Sequence, residues 1–453
     1  MTADHGLNSR LAALPGWSDD PGVRHRAALD RSGWQPDGLP LGVVRARSVA
    51  EVCETLALCH EQGVPVVPRG AGTGLAGGAT AGAGSVVLDL SGLDGIVSLD
   101  PIDQVAVVEA GVVTAVLDRA ARGHGLRYAP DPASAEISTI GGNIATNAGG
   151  MRCVKYGVTR EAVLGLDVAL ADGRLIHTGR ATAKGVAGYD LTSLFVGSEG
   201  TLGVIVGARV RLTPLPDRTA TAAAVFASVE DAARACSELV RHRLVPSLLE
   251  LLDAATLRVI DAAQGSTLAA GGGALVIVQT DGRAADAELA AIADVLAGSA
   301  LSVTTAADDA AADELLAARR LALPSIEQFG RPLIEDIAVP RSRLAEAVRG
   351  VERIAAETGT AVFTFAHAGD GNLHPIISVP RSEEGIPAAA QEAADRIFAL
   401  ALDLGGTVTG EHGVGVLKRA WLRRELGGDV HGLHAAVKAA FDPKGILNPG
   451  KAF

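Results

Sequence analysis

The sequence predicts an α+β fold in more than one domain, and three observations carry that prediction. Strand-like and helix-like runs alternate from the start of the chain, glycine-rich segments interrupt them where a nucleotide-binding helix would otherwise begin, and a second alternating series starts after Thr213-Pro214-Leu215-Pro216. At 453 residues the chain exceeds one typical domain and can bury at least two substantial cores. Its divisions are read as an N-terminal extension at 1–37, a first domain at 38–216, a second at 217–408 and a C-terminal segment at 409–453.

The first domain opens with strand-like Val43-Val44-Arg45-Ala46. Ser48-Val49-Ala50-Glu51 has capping-box spacing, a Ser hydroxyl for one orphan N–H and a Glu three residues on, and starts a helix through about His60. Val64 to Pro68 returns as a strand, completing a βαβ unit. The run from Arg69 to Gly78 then carries G-x-G-x-x-G at Gly72, Gly74 and Gly77. A dinucleotide fold of the doubly wound kind needs a helix opening inside that motif, and Ala79 to Gly84 is too rich in glycine to start one. An anion nest of backbone N–H groups remains compatible with the residues, as does a plain surface loop.

Two further glycine segments follow. Pro130-Asp131-Pro132-Ala133-Ser134 leads into Thr139 to Gly150, where small, hydroxyl and amide side chains alternate with glycine, and Gly197 to Gly203 runs into a strand through about Leu212. Three segments that let backbone approach closely imply one large ligand gripped along its length.

The second domain reads as strand Ala222 to Phe226, a helix after Ser228, strand Ala274 to Gln279, helix Ala284 to Leu296 and strand Leu301 to Thr305. This predicts a sheet with helices on one face. The Ala-rich stretch Ala306 to Leu323 is a scaffold helix, and helices Arg341 to Glu357 and Ala388 to Leu404 flank a histidine-bearing hairpin. That hairpin is Ala361 to Phe365 and Ile376 to Val379, β-branched and aromatic, with Gly369-Asp370-Gly371-Asn372 between them as turn chemistry. It sets His367 and His374 across from each other on adjacent strands.

With Glu411 as third ligand, the two imidazoles suit zinc first, with manganese or iron as alternatives. Hydrogen-bonding roles in an ordinary hairpin and turn are the competing reading for each residue taken singly. A regular strand at Gly410-Glu411-His412-Gly413 would turn Glu411 and His412 to opposite faces, leaving His412 available as a base.

Composition narrows the function classes. Forty Lys+Arg against 52 Asp+Glu give a net charge of −12 with no basic run, which argues against nucleic acid as a partner. Cys53, Cys59, Cys153 and Cys236 lack metal or cluster spacing, and no stretch is long and apolar enough to span a membrane. A cytoplasmic protein in a reducing compartment is expected.

In order, the segments VPVVPRGAGTGLAGG, PDPASAEISTIGGNIATNAGG, GYDLTSLFVGSEGTLGVI, FAHAGDGNLHP, GEHGVG and FDPKGILNPGK resemble the FAD-linked oxidase family of the vanillyl-alcohol-oxidase (PCMH) type over nearly the whole chain. The branch in question contains D-lactate dehydrogenases, glycolate oxidase flavin subunits and D-2-hydroxyglutarate dehydrogenases. The resemblance implies a two-subdomain PCMH-type FAD-binding domain, a cap domain with an antiparallel sheet, and a C-terminal segment that returns to the flavin domain.

It also implies residue roles. Noncovalent FAD would lie along Pro68, Arg69, Gly70, Ala71, Gly72, Thr73, Gly74 and Leu75; along Pro130, Asp131, Pro132 and Ser134; and along Thr139, Gly141, Gly142, Asn143, Ala145, Thr146, Asn147, Gly149, Gly150 and Tyr156. Glu199, Gly200, Gly203, Val204 and Ile205 would close on its adenine half, with Asn448 returning from the C-terminus. His367, His374 and Glu411 match the family's metal ligands, His412 its catalytic histidine and Arg319 its arginine for a substrate carboxylate.

The expected reaction is oxidation of a D-2-hydroxy acid to the 2-oxo acid, with the C2 hydride passing to flavin N5 and the hydroxyl proton to His412. Ile334 and Ile376 stand, by offset, where the 2-hydroxyglutarate branch keeps polar groups for a second carboxylate, so a monocarboxylate such as D-lactate or glycolate is favoured. D-2-hydroxyglutarate oxidation, or a flavin subunit that only relays electrons, is the alternative. An external acceptor follows from the reading: a quinone, a cytochrome, an electron-transfer flavoprotein or an iron–sulfur subunit. A homodimer is compatible, with no residue that requires it.

Overall fold

The computed structural model describes residues 9–182, 184–383 and 385–452, so the first eight residues of the N-terminal extension and Phe453 at the end of the C-terminal segment lie outside the described residues. Two compact units divide the chain. Met1–Gly150, Gly157–Leu215 and Glu411–Phe453 form the first, and Met151–Tyr156 with Pro216–Gly410 form the second.

The first unit holds two larger sheets. In one, Trp17–Ser18, Gly42–Arg45, Val86–Asp89 and Val66–Arg69 lie in that order, the last three parallel. The expected βαβ unit is present, with Val86–Asp89 inserted between its two strands. Its helix, Val49–Gln62, begins where the Ser48 side chain accepts from the Glu51 N–H. Val44, Val66, Val86 and Leu88 close on Val52 and Leu56 of that helix to make one core. The other sheet is antiparallel, in the order Ile96–Asp100, Val105–Glu109, Val204–Arg211, Val163–Ala169, Leu175–Gly179. From Gly70 to Ser85 the chain forms turns and loop, with no helix after the glycine motif. The C-terminal segment joins the first sheet through a parallel bridge from Leu447 to Val66.

In the second unit a sheet runs Ser302–Thr305, Thr219–Phe226, Ala274–Asp281, Leu248–Asp253, Ala361–His367, Asn372–Val379, Arg331–Ile334, and Ile337–Ala338 also pairs with Asn372–Val379. Every ladder is antiparallel. Helices cover both faces, not one. Ala254–Gln264 and Asp309–Phe329 pack on the face that presents Phe363, Phe365 and Ile376. Helices Val229–Arg241, Leu344–Thr358 and Ala388–Asp403 pack together against the opposite face. The physical signal for two-sided cover lies in Leu248–Asp253, Ala274–Asp281 and Asn372–Val379, which are buried at every position. Strands with one wet face alternate; these do not.

Candidate active site

The candidate residues are distributed over both units. In the second, strands Ala361–His367 and Asn372–Val379 form the expected hairpin, extended to carry both histidines inside the ladder. The imidazoles are not directly opposed. His374 pairs across the strands with Phe365 and His367 with Asn372, so the two rings meet on the diagonal, edge to face, with centroids 5.0 Å apart. Both are buried, His367 to 4% and His374 to 2% exposure.

Strand Leu248–Asp253 lies beside them and places Glu250 level with His367. Glu250 is wholly buried. One carboxylate oxygen lies 2.6 Å from His367 Nδ1, and the other accepts from Arg319 Nε at 2.5 Å. The Arg319 guanidinium, on helix Asp309–Phe329, also stacks 4.0 Å from the centre of the Phe365 ring. The expected substrate arginine thus has its Nε committed to a protein carboxylate.

A second buried carboxylate, Asp336, lies 3.8 Å from His374 Nδ1 and accepts from Asn372 Nδ2 at 2.7 Å. It also receives the Thr409 hydroxyl at 2.8 Å and the Gly410 N–H at 2.9 Å, tying down the chain just before Glu411. Neither Glu250 nor Asp336 figured in the sequence reading. A lone carboxylate inside the apolar run Leu248-Leu249-Glu250-Leu251-Leu252 was the available signal for Glu250. Ile334 and Ile376 are cross-strand partners in the apolar cluster formed with Phe363 and Phe365, and Ile376 is fully buried. Tyr156 falls in this unit, its hydroxyl donating to Asp281 at 2.7 Å, beside the Lys155–Asp281 ion pair at 2.6 Å.

In the first unit the glycine segments come together. A Cβ on Gly70 would lie 2.4 Å from the Thr139 hydroxyl, and one on Gly200 would lie 3.0 Å from the Pro68 ring. The Gly197 and Glu199 N–H groups donate to the Ile144 and Ala145 carbonyls at 2.9 and 2.8 Å. Within the glycine segment Thr139 to Gly150 lies a short helix, Ile140–Thr146, capped by the Thr139 hydroxyl. Ile140 and Ile144 seat it in the core, and Asn143 donates to Thr114 at 2.7 Å. Arg69 points into the protein, its Nη1 donating to the Leu29 carbonyl at 2.6 Å, and burial lowers its pKa against the pull of Asp89 and Asp30.

The Glu199 side chain also holds backbone. It is half-buried and accepts the Val414 and Gly415 N–H groups at 2.7 and 2.8 Å, clamping the loop just past His412. Burial pushes its pKa up, and these two hydrogen bonds oppose that rise. Asn448 completes the junction, its Nδ2 donating to the Gly78 and Glu199 carbonyls at 2.9 and 2.7 Å. Glu411 and His412 sit on bends, not on a strand, and His412 Nε2 lies 3.7 Å from Glu411 Oε1. The two side chains therefore do not point to opposite faces.

Residues 40–179 match the family described as FAD binding domain, and residues 215–452 match FAD linked oxidases, C-terminal domain. The chain belongs to the FAD-linked oxidase family. Within that family it is 42% identical to glycolate oxidase subunit GlcD of Bacillus subtilis, over 92% of this chain and 90% of that one. It is 38% identical to D-lactate dehydrogenase of Archaeoglobus fulgidus, over 90% of each. The fold resembles p-cresol methylhydroxylase, with a TM-score of 0.79 at 17% identity over 100% of this chain and 97% of that structure.

As an FAD-linked oxidoreductase the chain has cofactor chemistry consistent with its architecture: the converging glycine segments leave backbone close to backbone, and no helix occupies the space after Gly77. The donor set of the hairpin suits a divalent metal, because the Glu250 contact at Nδ1 leaves His367 Nε2 as the ligand atom. Among the described residues no helix is long and apolar enough to cross a membrane.

Proposed function

We propose that this FAD-linked oxidase converts a D-2-hydroxy acid to the 2-oxo acid at a metal-assisted site and passes the electrons to an external acceptor. The observation that carries the reading is the buried His367–His374 pair with Glu250 on His367 Nδ1, an arrangement that fits metal ligation, in a chain related to a glycolate oxidase subunit and a D-lactate dehydrogenase.

His367, His374 and Glu411 hold the metal, with zinc preferred to manganese or iron on the strength of the mixed imidazole and carboxylate donors. Noncovalently bound FAD would supply the two-electron acceptor, and a bound metal would supply Lewis acidity toward the substrate hydroxyl. His412 takes the hydroxyl proton. Arg319 meets the substrate carboxylate through Nη1 and Nη2, since Nε belongs to Glu250. The segments from Pro68, Pro130, Gly141 and Glu199, with Asn448, form the FAD cradle. Tyr156, its hydroxyl tied to Asp281, is the remaining residue proposed to contact FAD.

The Ile334–Ile376 pair favours a monocarboxylate, since a second carboxylate beside buried Ile376 and half-buried Ile334 would lie against apolar side chains. Four cysteines outside any disulfide are compatible with a cytoplasmic, reducing location.

The test is a screen of D- and L-lactate, glycolate and D-2-hydroxyglutarate with an artificial dye acceptor, together with metal analysis of the purified yellow protein. Turnover of D-lactate or glycolate, bleaching of bound flavin by the same acid without oxygen, and stoichiometric metal are expected. A flavoprotein that contains no metal and is bleached by none of these acids would be an electron-relay subunit instead.

A further inference from the structure

The reaction reading leaves Glu250 unused, although its two carboxylate oxygens touch a metal-ligand histidine and the substrate arginine. A carboxylate with no exposed surface is costly unless its oxygens are hydrogen-bonded and its charge is balanced. Glu250 meets both conditions with two partners: Arg319 Nε at 2.5 Å and His367 Nδ1 at 2.6 Å. The register explains the constancy of the second contact. Glu250 and His367 are cross-strand partners in an antiparallel ladder, so their side chains share one face and their backbones hold the spacing.

An ionised carboxylate only accepts, so the imidazole nitrogen facing it must carry the proton. His367 is thereby held as the Nδ1–H tautomer, with the Nε2 lone pair turned outward. We propose that Glu250 is a positioning residue that sets the tautomer and ring orientation of His367 for metal binding, with Arg319 as the cation that keeps Glu250 in place. This rests on the metal-assisted reading of the same site and adds to it the source of its metal affinity. Arg319 then serves two ends of one chain of contacts: its Nε steadies the carboxylate behind the metal ligand, and its Nη groups remain for the substrate.

The substitution Glu250→Gln isolates the effect, because it keeps shape and volume while presenting an amide. Its carbonyl can accept from Arg319 Nε, which turns the NH2 toward His367 Nδ1 and drives the proton to Nε2, the wrong nitrogen for ligation. FAD-loaded protein stripped of metal would be titrated with zinc ions against a chromophoric chelator. The expected result is zinc binding weakened by roughly 10- to 100-fold in Glu250→Gln, with bound FAD unchanged. Adding Glu250→Gln to His367→Ala should weaken zinc binding no further, a coupling that general loosening of the sheet would not produce.

Equal zinc affinity in Glu250→Gln and wild type, or fully additive losses in the double variant, would overturn the proposal. Wild-type protein that binds no zinc, manganese or iron would overturn the metal reading itself, and this inference with it. Should Glu250→Gln fail to fold, 15N-histidine spectra of the metal-free wild type decide the matter. The resonance lost in His367→Ala must show a protonated Nδ1, and a protonated Nε2 refutes the assignment.

Discussion

The two histidine-bearing regions are built on opposite principles. His367 and His374 sit inside a ladder of strands, where cross-strand register places them and the side chains of Glu250 and Asp336 address their ring nitrogens. His412 sits on a bend, and its neighbourhood is held by backbone: Glu199 takes the Val414 and Gly415 N–H groups, and Asp336 takes the Gly410 N–H. On the proposed reading, residues that hold fixed ligand geometry would gain from a rigid sheet, while a proton-transfer group would need position with some freedom to follow its substrate. In both regions carboxylates do the holding, toward side chains in one and toward amides in the other.

The largest effect is expected where the loop-held group itself is removed. His412→Ala should lower kcat by roughly 10²- to 10⁴-fold with the flavin spectrum unchanged, read in the dye-coupled assay. Undiminished turnover would leave the bend with no chemical role. On the sheet side, His367→Ala combined with His374→Ala should bring bound metal from stoichiometric to background by elemental analysis; metal retained at full occupancy would refute the sheet-built centre.

The sheet also carries a pH signature. Asp253, at the end of the strand bearing Glu250, accepts the Thr256 and Thr364 N–H groups at 2.7 and 3.0 Å, and burial pushes its pKa up to about 6 despite those bonds. Its folded-state pKa lies above the ordinary value of 3.8. Its contribution to stability is therefore fully present below that value and is lost as pH rises through about 6, amounting to about 3 kcal/mol at 1.36 kcal/mol per unit. Chemical denaturation of wild type and Asp253→Asn between these pH values checks the sign. Parallel stability curves would mean that Asp253 does not titrate in this window.

Glu199→Gln tests the loop in the same spirit. It sets an amide NH2 against one of two N–H groups, costing about 1–3 kcal/mol at that contact. The expected outcome is a lower kcat with KM and FAD content little changed, and a normal kcat would detach the clamp from His412. The smallest effect belongs to Tyr156→Phe, which removes one hydrogen bond to Asp281 while the Lys155 pair persists. A loss of about 1 kcal/mol in stability without loss of flavin is predicted, checked by thermal melting and absorbance.

Much of this was legible in the chain because the signals are local. Ser48 with Glu51 marked the Val49–Gln62 helix, and the glycines after Gly77 excluded a phosphate-binding helix. Turn residues between β-branched runs marked the histidine hairpin. The failures are equally specific. Period-2 reasoning applied to Gly410–Gly413 turned Glu411 and His412 apart, but the segment is not a strand, and side-chain direction in bends does not follow that period. The glycines of Thr139 to Gly150 hid a helix from the sequence pattern, yet burial of Ile140 and Ile144 stabilises one over Ile140–Thr146.

The sequence by itself determined the family, the α+β class, the order of the glycine segments and the identity of the groups that can bind metal or move a proton. Those follow from residue type and short-range spacing. Tertiary structure alone decided which carboxylate serves which nitrogen or amide: Glu250 lies 117 positions from His367, and Glu199 lies 215 from Val414. Such pairings are set by strand order and by loops meeting across a core, and residues so far apart in the chain leave no periodic trace of their contact.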